Sequence, residues 1–294
     1  MTLNYKVFHH SPVEGMSGTS TLIYGERDAV LIDACARLED AHRLAAGLIG
    51  MQKNITHIYI SHFHPDHYLS VGALLDAFPE AKVVALPSVV KDILATAEDK
   101  LKLARQFLGD KVPTTVTYPQ PLAESRLEVE GQVIEFSDDW DGDSPNNTMI
   151  WIPSIRVACG TDVVFNDAHV WTIESDAPRR NKWRASLKKL REMNPRVVVP
   201  GHCSPSKLNC ADTSGIDFTL KYLDDYEEEL AKATTGDELV QGMEKRYPGM
   251  KASLHAIHWQ ARILFPTKCS DRIMLPPGAF RTVSGEIAGE AARH

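Results

Sequence analysis

Seven consecutive residues, Ser61-His62-Phe63-His64-Pro65-Asp66-His67, constrain this chain more than any other stretch. They follow the apolar run Ile55-Thr56-His57-Ile58-Tyr59-Ile60, which reads as a buried strand. A strand that ends in three histidines and an aspartate presents several metal-ligand side chains at one lip of a sheet. Imidazole nitrogens and carboxylate oxygens are natural donors for Zn²⁺ and neighbouring divalent ions. His62 and His64 are two apart and can converge on one ion. Asp66 and His67 are adjacent and can turn to a second.

The rest of the chain reads as strands with helices between them. The segments 20–25 and 29–33, separated by Glu26-Arg27-Asp28, suit an antiparallel hairpin. Residues 38–49 have helical spacing of Leu38, Ala41, Leu44, Ala45 and Leu48. After the histidine loop a helix is expected over 68–78, a strand over 82–87 and a helix over 88–108. Strands are expected at 115–118, across Leu127 to Phe136, at 148–152 and at 156–159, with a polar loop from Asp138 to Asn147. Pro178 opens a helix whose buried stripe is Trp183, Leu187, Leu190 and Met193. A buried strand, 196–200, ends at Gly201-His202, and the pattern is helical from about 209 to 264. Two sheets packed face to face with helices outside, a four-layer α/β/β/α sandwich, is the architecture this order favours. The division expected is 1–209 for the sandwich, 210–266 for a helical extension packed on it, and 267–294 for a tail without periodicity.

Composition excludes several classes. The 294 residues are 43% hydrophobic and 24% charged, enough for a large core. A formal net charge of -7 gives no footprint for nucleic acid. Basic runs such as Arg179-Arg180 and Lys188-Lys189 read as solvated helix faces. Five cysteines, an odd number without C-x-x-C pairs, argue for a reducing compartment. No signal-like segment is visible and no apolar run nears the ~20 residues of a membrane span. The expectation is a cytoplasmic protein acting on a small molecule, with no nucleic-acid or membrane partner; a homodimer is compatible with it.

The histidine loop and the upstream Leu31-Ile32-Asp33 strand resemble the metallo-β-lactamase superfamily. Its other landmarks have counterparts in Gly142-Asp143-Ser144-Pro145-Asn146-Asn147, in Gly160-Thr161-Asp162 and in Val198-Val199-Pro200-Gly201-His202. The resemblance spans about residues 5–205. It implies the sandwich with a C-terminal helical extension, and a centre of two divalent ions, Zn²⁺ foremost, with Mn²⁺ or Fe²⁺ admissible. Site 1 would be His62, His64 and Asp143; site 2 would be Asp66, His67 and His202; Asp162 would bridge them. Asp33 would stand behind the ligands without touching an ion. A metal-bridging hydroxide would attack the carbonyl of a small ester, lactone or (β-)lactam, with Asp66 as its proton acceptor.

One position departs from the family pattern. Asp143 stands where the loop usually carries histidine, and Asp141 is an alternative if the register shifts by two. A third carboxylate leaves two divalent ions with one net positive charge rather than two, which weakens their acidifying effect on water. It also hardens site 1 toward Mn²⁺ or Fe²⁺. Two other readings stay open: a mononuclear iron dioxygenase of the persulfide-dioxygenase type, built on two histidines and one aspartate, and a non-catalytic binding protein on the same fold.

Outside the motif set, His169 is a candidate for the site mouth, able to hydrogen-bond a substrate or leaving group, or else a surface histidine. His255, His258 and Trp259 read as an amphipathic helix face that caps the pocket or simply packs. His57 reads as a core histidine, and His9 and His10 as structural.

Overall fold

A computed structural model describes residues 2–10, 17–208 and 212–266. The first sheet starts with β1 (Asn4–His9), β2 (Thr19–Tyr24) and β3 (Asp28–Ile32), joined antiparallel. It continues in parallel through β4 (Asn54–Tyr59), β5 (Lys82–Ala85) and the two-residue β6 (Gln120–Pro121). The second sheet has the order β11-β10-β9-β8-β7. Its strands are β7 (Arg126–Val129), β8 (Gln132–Trp140), β9 (Asn147–Ile152), β10 (Val157–Asn166) and β11 (Val197–Cys203). Only the β10–β11 pair of this sheet is parallel.

Three apolar cores stack through the molecule. Between the sheets, Ile23, Val30, Ile32, Tyr59 and Val84 meet Phe136, Ile150, Ile152, Val157 and Val199. Tyr59 stacks on Phe136 with ring centroids 3.9 Å apart. Outside the first sheet lie α1 (Leu38–Gly50), α2 (Pro65–Tyr68), α3 (Val71–Leu75) and α4 (Pro87–Leu108), filling a core with Leu31, Ile58 and Ile60. Outside the second lie α5 (Ala177–Glu192), α6 (Ser214–Lys232), α7 (Gly236–Arg246) and α8 (Leu254–Leu264), around Trp140, Phe165, Trp183 and Tyr222. Each sheet thus buries both faces, and the four-layer αββα sandwich with a C-terminal helical segment follows. The C-terminal helices share one core with β10 and α5. Among the described residues no helix is long and apolar enough to cross a membrane.

Several segments differ from the sequence expectation. The helix expected over 68–78 is two short ones. Ser70 interrupts it because its Oγ donates to Ala36 O at 2.5 Å and its N to Cys35 O at 2.8 Å, bonds that tie it to the β3–α1 loop. The strand expected at 115–118 does not form; only Gln120–Pro121 pairs with β5, beyond Pro119, whose missing N–H cannot extend a ladder. The loop from 138 starts later, since β8 runs to Trp140. β10 runs on to Asn166, well past the expected end at 159. The 267–294 tail lies outside the described residues. His57 is half-buried within β4 rather than in the core, its Nδ1 3.1 Å from Thr56 Oγ1. Arg180 is not part of a solvated face: it is buried, donating from Nε to Glu227 Oε1 at 2.8 Å.

The end of the sandwich away from the histidine loop is closed by Glu130. Its carboxylate accepts from the backbone N–H groups of Glu26, Arg27 and Asp28 at 3.1, 2.6 and 2.8 Å. At the opposite end Thr19 Oγ1 donates to Pro200 O at 2.7 Å, and His9 Nε2 donates to Cys203 O at 2.9 Å. His10 is buried beside it, with Nε2 2.8 Å from Ser20 Oγ.

Candidate metal centre

β4 stops at Tyr59, and the chain then turns through the histidine loop into α2. Pro65 at the first helical position fixes this turn, and His64 precedes it in extended conformation. His62 and His64 therefore project before the helix, and Asp66 and His67 from within it. The second sheet answers with three residues. Asp143 lies in the β8–β9 loop, Asp162 in β10, and His202 near the end of β11.

Asp162 is placed by irregular pairing. The β10–β11 register shifts between Cys159 and Thr161 and again before Phe165, and Thr161 has φ 45°. This bulged segment turns the Asp162 side chain into the cleft between the sheets. Gly201 makes room for it: a Cβ there would lie 2.0 Å from Asp162 Oδ1 and 2.6 Å from Thr161 C. Gly142 likewise lets the Asp143 loop approach, since a Cβ would fall 2.7 Å from Asp162 O. Asp143 N then donates to that same carbonyl at 3.1 Å.

Two groups of donors result. His62, His64, Asp143 and Asp162 each offer an atom such that all lie within 4.8 Å of one another, and so do Asp66, His67 and His202. Asp162 faces both. Its Oδ2 is 3.7 Å from His62 Nε2 and 3.1 Å from His202 Nε2, and its Oδ1 is 3.2 Å from His67 Nε2. His202 Nε2 lies 3.3 Å from Asp66 Oδ2. Each group, counting Asp162 in both, holds two imidazoles and two carboxylates. Asp141 is in neither; its backbone N–H is bonded to Ser186 Oγ at 3.0 Å.

Second contacts orient the rings. Asp33, at φ 61°, accepts from Ser61 N and Ser61 Oγ at 2.7 Å each, and from His67 Nδ1 at 2.9 Å. Ser61 Oγ accepts in turn from His62 Nδ1 at 2.9 Å. Both histidines are thereby left with Nε2 toward the cluster. His64 is oriented the other way: Nδ1 is 2.8 Å from Asp143 Oδ2, and Nε2 is 3.0 Å from Glu174 Oε1. Nothing in the sequence points to Glu174, because it sits in an irregular segment after β10 with no motif around it.

The donor set fits divalent cations. Of the buried donor atoms, His62 Nε2 has no hydrogen-bond partner, and Asp143 Oδ2, His67 Nε2 and Asp162 Oδ1 meet only other members of the donor set. Buried polar atoms left in this state are costly unless something pairs them. The electrostatics agree. Burial alone would lower the pKa of His64, but Asp143 and Glu174 outweigh it and push it up to about 10. Burial opposes His202 likewise, and Asp162 and Asp66 push it up to about 10. His67 is held well above its usual range against burial by Asp162, Asp66 and Asp33. Burial raises Asp143 to about 6, with His64 opposing and Asp162 assisting. Only His62 is held neutral, by burial and by His67 beside it. Without ions, protons on three histidines balance the carboxylates.

The family model of the metallo-beta-lactamase superfamily matches residues 13–202. The chain belongs to that superfamily. No match was found among curated proteins. Solved structures similar to this metallo-β-lactamase-fold protein include a beta-lactamase domain protein from Burkholderia ambifaria, with TM-score 0.60 and 16% identity over 88% of this chain and 86% of that one. A metallo-beta-lactamase family protein from Thermus thermophilus gives 0.58 and 19%, over 89% and 93%. A metallo-beta-lactamase from Pontibacter korlensis gives 0.56 and 19%, over 76% and 95%. At such identities the likeness is one of fold.

The remaining candidates lie around this centre. His169 belongs to neither group: it is fully buried, its Nδ1 2.9 Å from Tyr222 Oη on α6 and its N donating to Ala252 O. Trp171 lies 6.4 Å from His64 by ring centroids and 6.1 Å from both His255 and Trp259 of α8. Trp259 is 5.1 Å from Phe107 of α4, which is 39% exposed. An aromatic row thus runs from His64, a candidate ligand, to the surface. On the same side, Lys100 Nζ sits 3.9 Å over the ring of Phe63. Lys100 and Phe107 are seven apart on α4 and share one face. Asp66 is the ligand candidate most open to solvent, with 20% of its side chain exposed.

Proposed function

We propose that the protein is a dinuclear metal-dependent hydrolase of small carbonyl substrates, an ester, lactone or (β-)lactam. The observation that carries this reading is Asp162, one carboxylate facing two complete donor groups. Site 1 would use His62, His64, Asp143 and Asp162; site 2 would use Asp66, His67, His202 and Asp162. Divalent ions held there supply Lewis acidity that polarises a carbonyl and acidifies water.

The chain's own residues complete the chemistry. Asp66 opens to the cleft while its Oδ2 stays beside His202 and His67, so its carboxylate is placed to take a proton from water and return it to a leaving group. Asp33, through His67 and Ser61, keeps Nε2 of two histidines available as donors. Trp171, Trp259 and Phe107 give an apolar arm of the substrate a wall to lie against. The buried His169–Tyr222 bond supports this wall from behind by tying the segment after β10 to α6.

The intact Asp66-His67-His202 group favours two ions over the single iron of a dioxygenase. Metal analysis of the purified protein, followed by turnover of an ester, lactone, lactam and thioester panel, tests the reading. Two ions per chain with hydrolysis abolished by chelation is the expected result. One iron per chain with O₂ uptake would overturn it. His64→Ala should lose one ion and activity together while the fold survives.

A further inference from the structure

Glu174 lies between β10 and α5, among residues with no motif and no place in the donor set. Its side chain is 6% exposed. Oε1 lies 3.0 Å from His64 Nε2, and Oε2 is buried with no hydrogen-bond partner. On the other side of the same ring, Nδ1 is 2.8 Å from Asp143 Oδ2. A neutral imidazole has one N–H and cannot donate to both. Without an ion a doubly protonated ring serves both carboxylates; with Nδ1 and Asp143 turned to a cation, Nε2 keeps its proton and Glu174 still accepts it.

We propose that Glu174 is a positioning residue of the metal centre: it takes the Nε2 proton of His64 in a hydrogen bond and fixes the tautomer and ring orientation that turn Nδ1 to an ion. The inference rests on reading His64 and Asp143 as ligands. Asp33 performs the mirror operation on His67, accepting from Nδ1 and leaving Nε2. Each site therefore has one histidine backed directly by a buried carboxylate, one from each half of the sandwich. Carboxylates in this role orient the ring and strengthen it as a donor.

Glu174 is held from the C-terminal helices. Ser175 O accepts from Arg180 Nη1, and Arg180 Nε donates to Glu227 of α6 at 2.8 Å. Three residues before Glu174, Trp171 packs on His255 and Trp259 of α8. The helical segment thus reaches His64 through this loop. In this role it serves the affinity of site 1.

The test uses the full chain loaded with Zn²⁺, as wild type, Glu174→Ala, Glu174→Gln and Arg180→Met. Ion stoichiometry and affinity are measured by competition with a chromophoric chelator, and the His64 ring nitrogens by long-range ¹H–¹⁵N correlation. The wild type should show His64 protonated at Nε2 with Nδ1 ligating. Glu174→Ala should lose that signature and weaken one ion of two by about 10–100-fold. Glu174→Gln, whose amide oxygen can accept the same proton, should restore most of the affinity, and Arg180→Met should weaken the same ion. Wild-type affinity and an unchanged His64 tautomer in Glu174→Ala would overturn the assignment. So would an equal loss of both ions, or a wild type that takes up none at His64. None of these readouts uses turnover: a protein that binds two ions and hydrolyses nothing sinks the hydrolase reading and leaves Glu174 in place.

Discussion

Asp33 and His67 are joined by a 2.9 Å hydrogen bond, Nδ1–H to Oδ2, and that bond decides which nitrogen of His67 faces the cluster. The same carboxylate holds Ser61 by its N and its hydroxyl, and through it His62. Asp33→Ala should therefore weaken both ions, by about 10–100-fold. It should also cost about 1–3 kcal/mol, since the buried Ser61 N–H loses its acceptor. Asn, which tolerates φ 61° as well as aspartate does, should recover most of the stability but less of the affinity. Thermal melting of the metal-free protein and zinc titration separate the two effects. Unchanged affinity in both variants would remove Asp33 from the metal's support.

Asp143→His should move site 1 from two imidazoles and two carboxylates to three imidazoles and one carboxylate. Softer nitrogen donors favour Zn²⁺ over Mn²⁺. Grown with both metals in equal supply, the variant should hold a larger share of zinc by elemental analysis. Its activity profile should shift to lower pH, because less negative charge around the ions makes water more acidic. An identical metal content and profile would place Asp143 outside the ligand set.

Ion uptake should depend on pH with a defined sign. His64 and His202 are both pushed up to about 10 without ions, so both are protonated at neutrality and must lose a proton to ligate. Affinity should rise with pH toward about 10, and uptake of both ions should release about three protons, two from this pair and one from His67, which is also held well above its usual range. Calorimetry in buffers of different ionisation heat counts them. In the metal-free protein these raised values stabilise the fold fully below the ordinary histidine pKa of about 6.5, and that stabilisation is lost as pH rises through about 10. The window in which the empty protein is steadiest thus lies on the acid side of the window in which it binds ions best. Affinity that stays flat from mildly acidic to mildly alkaline pH would contradict the protonation of these rings.

Gly201→Ala should be severe for its size. The new methyl would meet Asp162 Oδ1 at 2.0 Å and the Thr161 backbone at 2.6 Å, and backbone cannot rotate away. Overpacking of this kind costs about 1–3 kcal/mol. It should also displace the carboxylate shared by both donor groups, so both ions should weaken together. Melting temperature and ion stoichiometry report the two losses; retention of both ions would show that Asp162 is not shared.

The candidate donors of the centre are legible in the sequence where, as in the histidine loop, they follow a strand and carry their chemistry in adjacent residues. His62 to His67 are continuous, and Asp143 is reached only through the resemblance of its loop to the family's, with Asp141 left as an alternative until the structure puts Asp143 2.8 Å from His64. Asp162 can be read as a strand-end residue, but not the bulges that let β10 run on to Asn166. Glu174 is invisible for a physical reason. Its partner is 110 residues away, its neighbours have no period, and its role exists only after the segment following β10 packs against α6 and α8. Arg180 misleads on the same account: a basic residue in a first helical turn looks solvated until Glu227 of a later helix closes over it. Ser70 shows the local version, where a serine without a breaker's signature interrupts a helix by bonding to a loop far back in the chain.

The two halves of the donor set also differ in when they come into being. The His62–His67 loop leaves the ribosome well before Asp143, Asp162 and His202, and a domain completes its packing only as its last elements emerge. A nascent chain therefore carries four donors on one short turn and no Asp162 to share between two ions. On the two-ion reading a complete site would exist only in the finished fold, and an ion captured early would sit on the first sheet alone, in competition with the closure that brings the second sheet to it.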